Sequence, residues 1–338
     1  MTTRDIVVMG ASAGGVQAFQ ALVRALPSDF PGSVFIVMHM SADAPGLLPV
    51  ILNREKGMPV IHATDGTPLG RSRIYVAPPD HHLLLERGYM RVTRGPRENR
   101  HRPAIDPLFR SAARAYGRRV VGVLLTGLLD DGTSGLQMIK ARGGVSIVQD
   151  PEEAQYGSMP ANALEHDSPD YSLPIAEIVR LLVRLVRRPA EARPIAMPEV
   201  DLNHEIKAAE ADMSVINGED NPGAPSAYSC PECNGVLWEV REGEVVRFRC
   251  RVGHAYTLKS LGTAKSEALE GALWTALRSL EERASLEKRL ADSAREQNHV
   301  MTAERFDQSS GEKQKQAQVI RDMLVGTQEP EVERAELA

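Results

Sequence analysis

Ile6-Val7-Val8-Met9-Gly10-Ala11-Ser12-Ala13-Gly14-Gly15 is the stretch on which the fold turns. A short, unbroken apolar run reads as a strand buried on both faces. The small residues after it suit a sharp turn, and a helical pattern starts at Val16. Strand, glycine-bounded turn carrying a serine, and helix together make a nucleophile elbow of the G-x-S-x-G form. A helix N-terminus at that point directs backbone N–H groups towards a developing negative charge. A phosphate-cradling loop of a dinucleotide fold occupies the same place after a first strand. Two details lean away from it: Ser12 stands where the second glycine of G-x-G-x-x-G belongs, and the next strand ends in His39 instead of an acidic ribose ligand. Taken alone, the motif leaves both readings open.

Working outward, the pattern predicts strands over 5–9, 33–38, 73–77, 119–126 and 144–149, and helices over 16–25, 45–54, 106–116 and 134–141. Segments 83–86 and 89–93, joined by Arg87-Gly88, read as a hairpin, and 175–186 as a closing helix. This alternation predicts a doubly wound α/β domain, a mostly parallel sheet with helices on both faces and right-handed crossovers. Aromatic residues are only 4% against 42% apolar, so Val, Leu, Ile and Ala must fill that interior. The domain is expected over 1–190. A linker over 191–227 follows, then a cysteine module over 228–260, an amphipathic helical segment over 261–325 and a tail over 326–338. Leu269, Leu273, Leu277, Leu280 and Ala284 fall on one face of the helical segment, as one long helix or a helical hairpin. That face, with Trp274, is expected to bury against the module, the catalytic domain or a second chain, making an oligomer through this segment conceivable.

The formal charge of −5 is mild and argues against a global attraction for nucleic acid. No apolar run reaches the length of a membrane span, and Ile6–Met9 is too short for a signal core. The expectation is a protein of the cytoplasm.

His39 directly follows the second strand, and Asp130 and Asp131 follow the strand ending near Thr126. Each has a plainer role by itself: a packed histidine, an aspartate capping a helix. Together they are more specific, because ligands of an open parallel sheet collect outside the carboxyl ends of its strands. Acyl transfer requires this set: Ser12 attacks, His39 takes its proton, and an aspartate orients the imidazole and stabilises its charged form. The chain order Ser–His–Asp differs from the Ser–Asp–His order of ordinary α/β-hydrolases.

Several further pieces complete a pattern: Val37-Met38-His39-Met40, Ala77-Pro78-Pro79-Asp80-His81-His82, Arg102-Pro103-Ala104-Ile105-Asp106, Leu125-Thr126-Gly127-Leu128-Leu129-Asp130-Asp131-Gly132, Gly143-Gly144 with Val148-Gln149-Asp150, and Met159-Pro160. With Gly10–Gly15 they resemble, in order and spacing, the catalytic domain of chemotaxis protein-glutamate methylesterases, the CheB family, from about Ile6 to Leu182. The resemblance implies Ser12 as nucleophile, His39 as base and Asp131 as orienting acid, since the family's aspartate immediately precedes the glycine. It implies backbone N–H groups of Ala13 and Leu128 as oxyanion donors. It also implies hydrolysis of γ-glutamyl methyl esters on the cytoplasmic helices of chemoreceptors, in some relatives with glutamine deamidation, and without a catalytic cofactor. The family's usual Ser-Thr is Ser12-Ala13 here, and its usual Met-Gly is Leu128-Leu129. The family often carries an N-terminal receiver domain, whereas this sequence starts at the first catalytic strand. The expectation is therefore constitutive activity or control through the C-terminal segment. The rival readings are an idle signalling adaptor and an esterase or deamidase acting on something else.

All three cysteines lie in one segment. Cys230-Pro231-Glu232-Cys233 precedes a short hairpin, and Cys250-Arg251-Val252-Gly253-His254 follows it. Two ligand pairs brought together by a hairpin match a zinc ribbon, and a full set of four protein ligands reads as a structural Zn²⁺ site. Arg247, Arg249 and Arg251 beside Trp238 and Phe248 would make a basic strip, for which solvation is the expected state.

Overall fold

The computed structural model describes residues 3–166, 168–190, 202–210, 223–242 and 245–326, in two compact units, Met1–Gly262 and Thr263–Ala338. The first unit opens with β1 (Ile6–Ala11), α1 (Gly15–Ala25), β2 (Ser33–Met38), α2 (Leu48–Asn53), β3 (Val60–His62) and β4 (Arg73–Val76). The hairpin β5 (His82–Glu86) and β6 (Tyr89–Thr93) leads to α3 (Ile105–Tyr116), β7 (Val120–Leu124), α4 (Thr133–Ala141) and β8 (Val145–Gln149). Then come α5 (Ser158–His166), β9 (Tyr171–Leu173) and α6 (Ile175–Arg187).

Seven strands form one sheet in the order β3-β4-β2-β1-β7-β8-β9, and every pairing in it is parallel. Its centre is β1, buried on both faces. Val7, Met9 and Ala11 pack with Phe19 and Leu22 of α1 and Leu182 of α6. Ile6 and Val8 face Ile105 and Phe109 of α3, Leu136 of α4 and Leu83 of the hairpin. Burying each such side chain stabilises the fold by about 1.5–3 kcal/mol, which is why continuous apolar runs became interior strands. From β1 the chain runs outward through β2 on one side and resumes on the other side at β7, so the loops after β1 and β7 diverge and open a crevice at their carboxyl ends.

The three-residue edge strands β3 and β9, and α5, did not appear in the sequence pattern; strands that short carry too few residues to display a period. Most of the stretch read as linker lies outside the described residues, as does nearly all of the tail. Within that stretch, however, α7 (Leu202–Ala209) forms, and Thr93 Oγ1 donates to the Ala209 carbonyl at 2.9 Å. A second sheet of four antiparallel strands follows, β10 (Ala224–Ser229), β11 (Val236–Glu242), β12 (Val245–Cys250) and β13 (Ala255–Thr257).

The helical segment is a hairpin: α8 (Leu258–Glu296) and α9 (Val300–Gly326). Asn298 ends α8 with φ 57, and His299 N–H bonds the Ala294 carbonyl while Asn298 N–H bonds that of Arg295, a left-handed cap closing the helix end. Within the second unit Leu277 packs with Ala317 and Leu324, flanked by Leu273, Leu280 and Ile320. The leucine stripe is thus covered largely by the chain's own second helix. Leu269 and Trp274 are not covered by it, 61% and 47% exposed within the single chain.

Candidate active site

Ser12 sits on the turn between β1 and α1. Gly14, with φ 75, takes the left-handed conformation that lets the chain reverse into the helix without a Cβ clash. The turn is tied to the loop after β7: Ser12 N–H donates to the Thr126 carbonyl at 3.0 Å, and Thr126 Oγ1 donates to the Ala13 carbonyl at 3.0 Å. Gly127 lies so close that a Cβ there would be 2.9 Å from Ser12 Cβ and 2.8 Å from the Met159 side chain. Leu128 follows immediately, its side chain exposed.

His39 arrives from the neighbouring strand. Register pairs Ala11 with Met38, so Ser12 and His39 leave adjacent parallel strands, which run about 4.8 Å apart, and His39 N–H bonds the Ala11 carbonyl at 3.0 Å. His39 Nε2 meets Asp131 Oδ2 at 2.7 Å with both side chains buried. Asp131 also accepts from the N–H of Ile105 at 2.7 Å and from Asn99 Nδ2 at 2.9 Å. Burial alone would raise the Asp131 carboxyl, but the bonds from His39, Ile105 and Asn99 outweigh it and hold the group well below the usual carboxylate range. With that carboxylate accepting, Nε2 carries the proton. His39 Nδ1 is then the free acceptor; it is buried and has no hydrogen-bond partner among the described residues. The structure brings His39 and Asp131 into direct contact and sets Ser12 beside them, without a Ser12–His39 hydrogen bond. Asp130 points elsewhere, accepting from Thr257 Oγ1 at 2.8 Å.

Four participants were given no role by the sequence reading, although Asp106 belongs to a quoted motif. His101 stacks on His39 with ring centroids 3.6 Å apart and planes 13° from parallel; burial, then the charge of His39, pushes its pKa down to about 3. Asn99, with φ 48, reaches Asp131 and also Asp106 Oδ2 at 3.2 Å. Asp106 in turn accepts the N–H groups of Gly132 and Gly135 at 3.1 and 2.7 Å, anchoring the start of α4. Glu98, fully buried, receives Arg110 of α3, Arg247 at 2.8 Å and Arg249 at 3.4 Å. Burial would raise the Glu98 carboxyl, yet those three guanidinium groups hold it far down. Arg247 and Arg249 are each 2% exposed, which corrects the expectation of solvation for these two: they are charge partners of a buried carboxylate, while Arg251 is exposed as expected. The polar run Arg97–His101 carries no periodicity, so its burial had no sequence signal.

Cys230, Cys233, Cys250 and His254 converge with their ligand atoms all within 4.8 Å of one another. Cys233 Sγ lies 3.6 Å from Cys250 Sγ, and His254 Nδ1 lies 3.7 and 3.5 Å from Cys230 and Cys250 Sγ. A tetrahedron with Zn–S bonds of about 2.3 Å has edges of roughly 3.8 Å, so these spacings fit a metal and are far too long for a disulfide. The outer nitrogen of His254 faces Glu232 at 3.3 Å, the carboxylate–imidazole pairing that orients metal-bound histidines. A cavity at the opposite end of the sheet, about 410 Å³ between Asp5, Ser33, Tyr116 and Arg119, holds none of these groups.

Comparison with known proteins points to one family. A model of the CheB methylesterase family matches residues 7–182. A protein-glutamate methylesterase/protein-glutamine glutaminase of Anaeromyxobacter dehalogenans is 41% identical over 183 residues, 54% of this chain and 54% of that protein. A putative one from Leptospira interrogans is 37% identical over 56% of this chain and 98% of its own length. The chain thus spans about half of the first relative and nearly all of the second. The crystal structure of the Thermotoga maritima CheB methylesterase catalytic domain superposes with a TM-score of 0.52 at 32% identity, covering 54% of this chain and 98% of that one. A family model over more than half the residues, a relative matched almost end to end and a shared fold lead to one conclusion: the chain belongs to the CheB methylesterase family.

Proposed function

We propose that this protein is a protein-glutamate methylesterase, hydrolysing γ-glutamyl methyl esters on the cytoplasmic helices of chemoreceptor-like proteins through Ser12, His39 and Asp131. The observation that carries the reading is the buried His39–Asp131 hydrogen bond, set at the strand ends beside Ser12 in a chain of this family. Ser12 Oγ attacks the ester carbonyl while His39 Nδ1 takes its proton, and Asp131 stabilises the resulting imidazolium. Backbone N–H groups of Ala13 and Leu128 receive the oxyanion. Collapse of the intermediate expels methanol, protonated by His39; water then repeats the sequence on the acyl-enzyme, leaving glutamate and free Ser12. Glutamine deamidation, which the relatives' names include, is the same acyl transfer with ammonia as the leaving group. Catalytic hydrogen bonds tighten when substrate is bound, consistent with a Ser12–His39 contact that closes only then.

The Cys230/Cys233/Cys250/His254 cluster is read as a structural Zn²⁺ site, supported by its spacing and by Glu232 behind His254. No helix among the described residues is long and apolar enough to cross a membrane. The proposed substrate, the cytoplasmic helices of chemoreceptor-like proteins, supports a cytoplasmic reading. A fluorophosphonate probe tests the nucleophile. Peptide mapping is expected to find the adduct on Ser12, and Ser12→Ala to abolish labelling; an intact, folded protein that stays unlabelled would favour the idle adaptor.

A further inference from the structure

The four-stranded metal module is docked on the loop that holds the orienting acid. β13 is an edge strand, and the catalytic loop completes it. Glu98 bridges Ala255 in parallel, Asn99 N–H donates to the Ala255 carbonyl at 2.8 Å, and Ala255 N–H donates to the Arg97 carbonyl at 3.2 Å. The side chain of Asn99 links both parts: its oxygen accepts Thr257 N–H at 3.1 Å and Ser260 Oγ at 3.2 Å, while its Nδ2 donates to Asp131. Thr257 Oγ1 also fixes Asp130 at 2.8 Å, the residue immediately before Asp131. On the adjacent strand, Arg249 spans from Glu98 to the Gly253 carbonyl at 2.9 Å.

The ligand cluster stands at the origin of these contacts. Cys250 ends β12, one residue after Arg249, and His254 immediately precedes β13. Cys250 N–H bonds the His254 carbonyl at 2.9 Å, so whatever fixes these two side chains fixes the strands that grip Glu98 and Asn99. A module this small has little core, and bound metal would contribute folding energy to it.

We infer that the Cys₃His module is a positioning element of the esterase site. When metal-loaded, it holds Asn99 through the Thr257 N–H and Ser260 and Asp130 through the Thr257 hydroxyl, and through both the carboxylate of Asp131 and so His39; loss of the metal lowers turnover. This rests on the methylesterase reading and on the metal reading above, and neither of them requires it. Asn99, Thr257 and Arg249 touch no reacting atom, so their effect is on kcat and not on substrate binding. Losing a hydrogen bond to a buried charge corresponds to about a 10- to 100-fold drop in rate.

The test uses the full chain and methylated receptor fragments, with metal content by plasma emission, folding by circular dichroism, and kcat and KM for wild type, Cys233→Ser, Thr257→Val and Thr257→Ser. Thr257→Val keeps shape and metal but loses the hydroxyl; Thr257→Ser restores it. Expected are a metal-loaded, active wild type and a metal-free Cys233→Ser with kcat down about 10- to 100-fold and KM little changed. Thr257→Val should be metal-loaded yet slow, and Thr257→Ser close to wild type. Chelation followed by Zn²⁺ should remove and restore wild-type turnover. A folded, metal-free Cys233→Ser, or a Thr257→Val, turning over at the wild-type rate would overturn the inference and leave the esterase reading standing. Wild type purified without metal would overturn it through the metal reading. Metal-loaded wild type that releases no methanol would overturn the esterase reading and this inference with it.

Discussion

Both carboxylate oxygens of Asp131 face donors: His39 and Ile105 N–H on one, Asn99 on the other. Asparagine at this position would have to turn an NH₂ towards one of them. If it faces His39, the imidazole proton moves to Nδ1, the atom that must accept from Ser12. Asp131→Asn is therefore expected to lower kcat about 10³- to 10⁴-fold with little change in fold, measured as methanol release. His101 supplies a pH signature. Its folded pKa of about 3 lies below the ordinary histidine value of about 6.5, so its contribution to stability is complete above pH 6.5 or so and is lost as pH falls towards the folded pKa. Urea unfolding should show stability declining below about pH 6.5, by at most about 1.4 kcal/mol per pH unit for this one group. His101→Gln should flatten that slope, and an unchanged slope would contradict the assignment. Leu129 adopts φ 63, in the left-handed region. A β-branched residue fits that conformation worse, so Leu129→Val is expected to cost about 1–2 kcal/mol by thermal unfolding.

At the scale of elements, the elbow and the continuous strands were legible in the sequence because their chemistry is local. β1 carries its own apolar run, and Gly14 its own turn. Ser12 and His39 could be paired from strand order alone, since parallel neighbours deliver their carboxyl-end residues to one edge. Asn99, Glu98 and His101 could not. Their roles depend on which distant segment covers them, and Glu98 meets arginines about 150 positions away. The same blindness made Arg247 and Arg249 look solvated, since an alternating Arg-Phe-Arg strand gives no sign of a carboxylate waiting on the other side. Removing that carboxylate leaves buried positive charge uncompensated, so Glu98→Leu is expected to destabilise the first unit by about 3–5 kcal/mol. Unfolding within 1 kcal/mol of wild type would refute the charge-centre account.

For the whole molecule, the parallel sheet, its two covering layers and the crevice at the switch point follow from the alternation of apolar runs and amphipathic helices. The docking of the cysteine module does not, because it depends on an exposed strand edge finding a partner loop. The helical hairpin forms a unit of its own, so a chain ending at Gly262 is expected to retain methylesterase turnover and metal, whereas loss of both on truncation would tie the hairpin to the site. The central claim is that Ser12, beside the His39–Asp131 pair, hydrolyses glutamyl methyl esters. Methanol release from methylated receptor cytoplasmic fragments, wild type against Ser12→Ala, measures it most directly. The account predicts steady release by wild type that disappears in the variant with folding and metal content unchanged. Equal release from both, or none from folded, metal-loaded wild type, would contradict it.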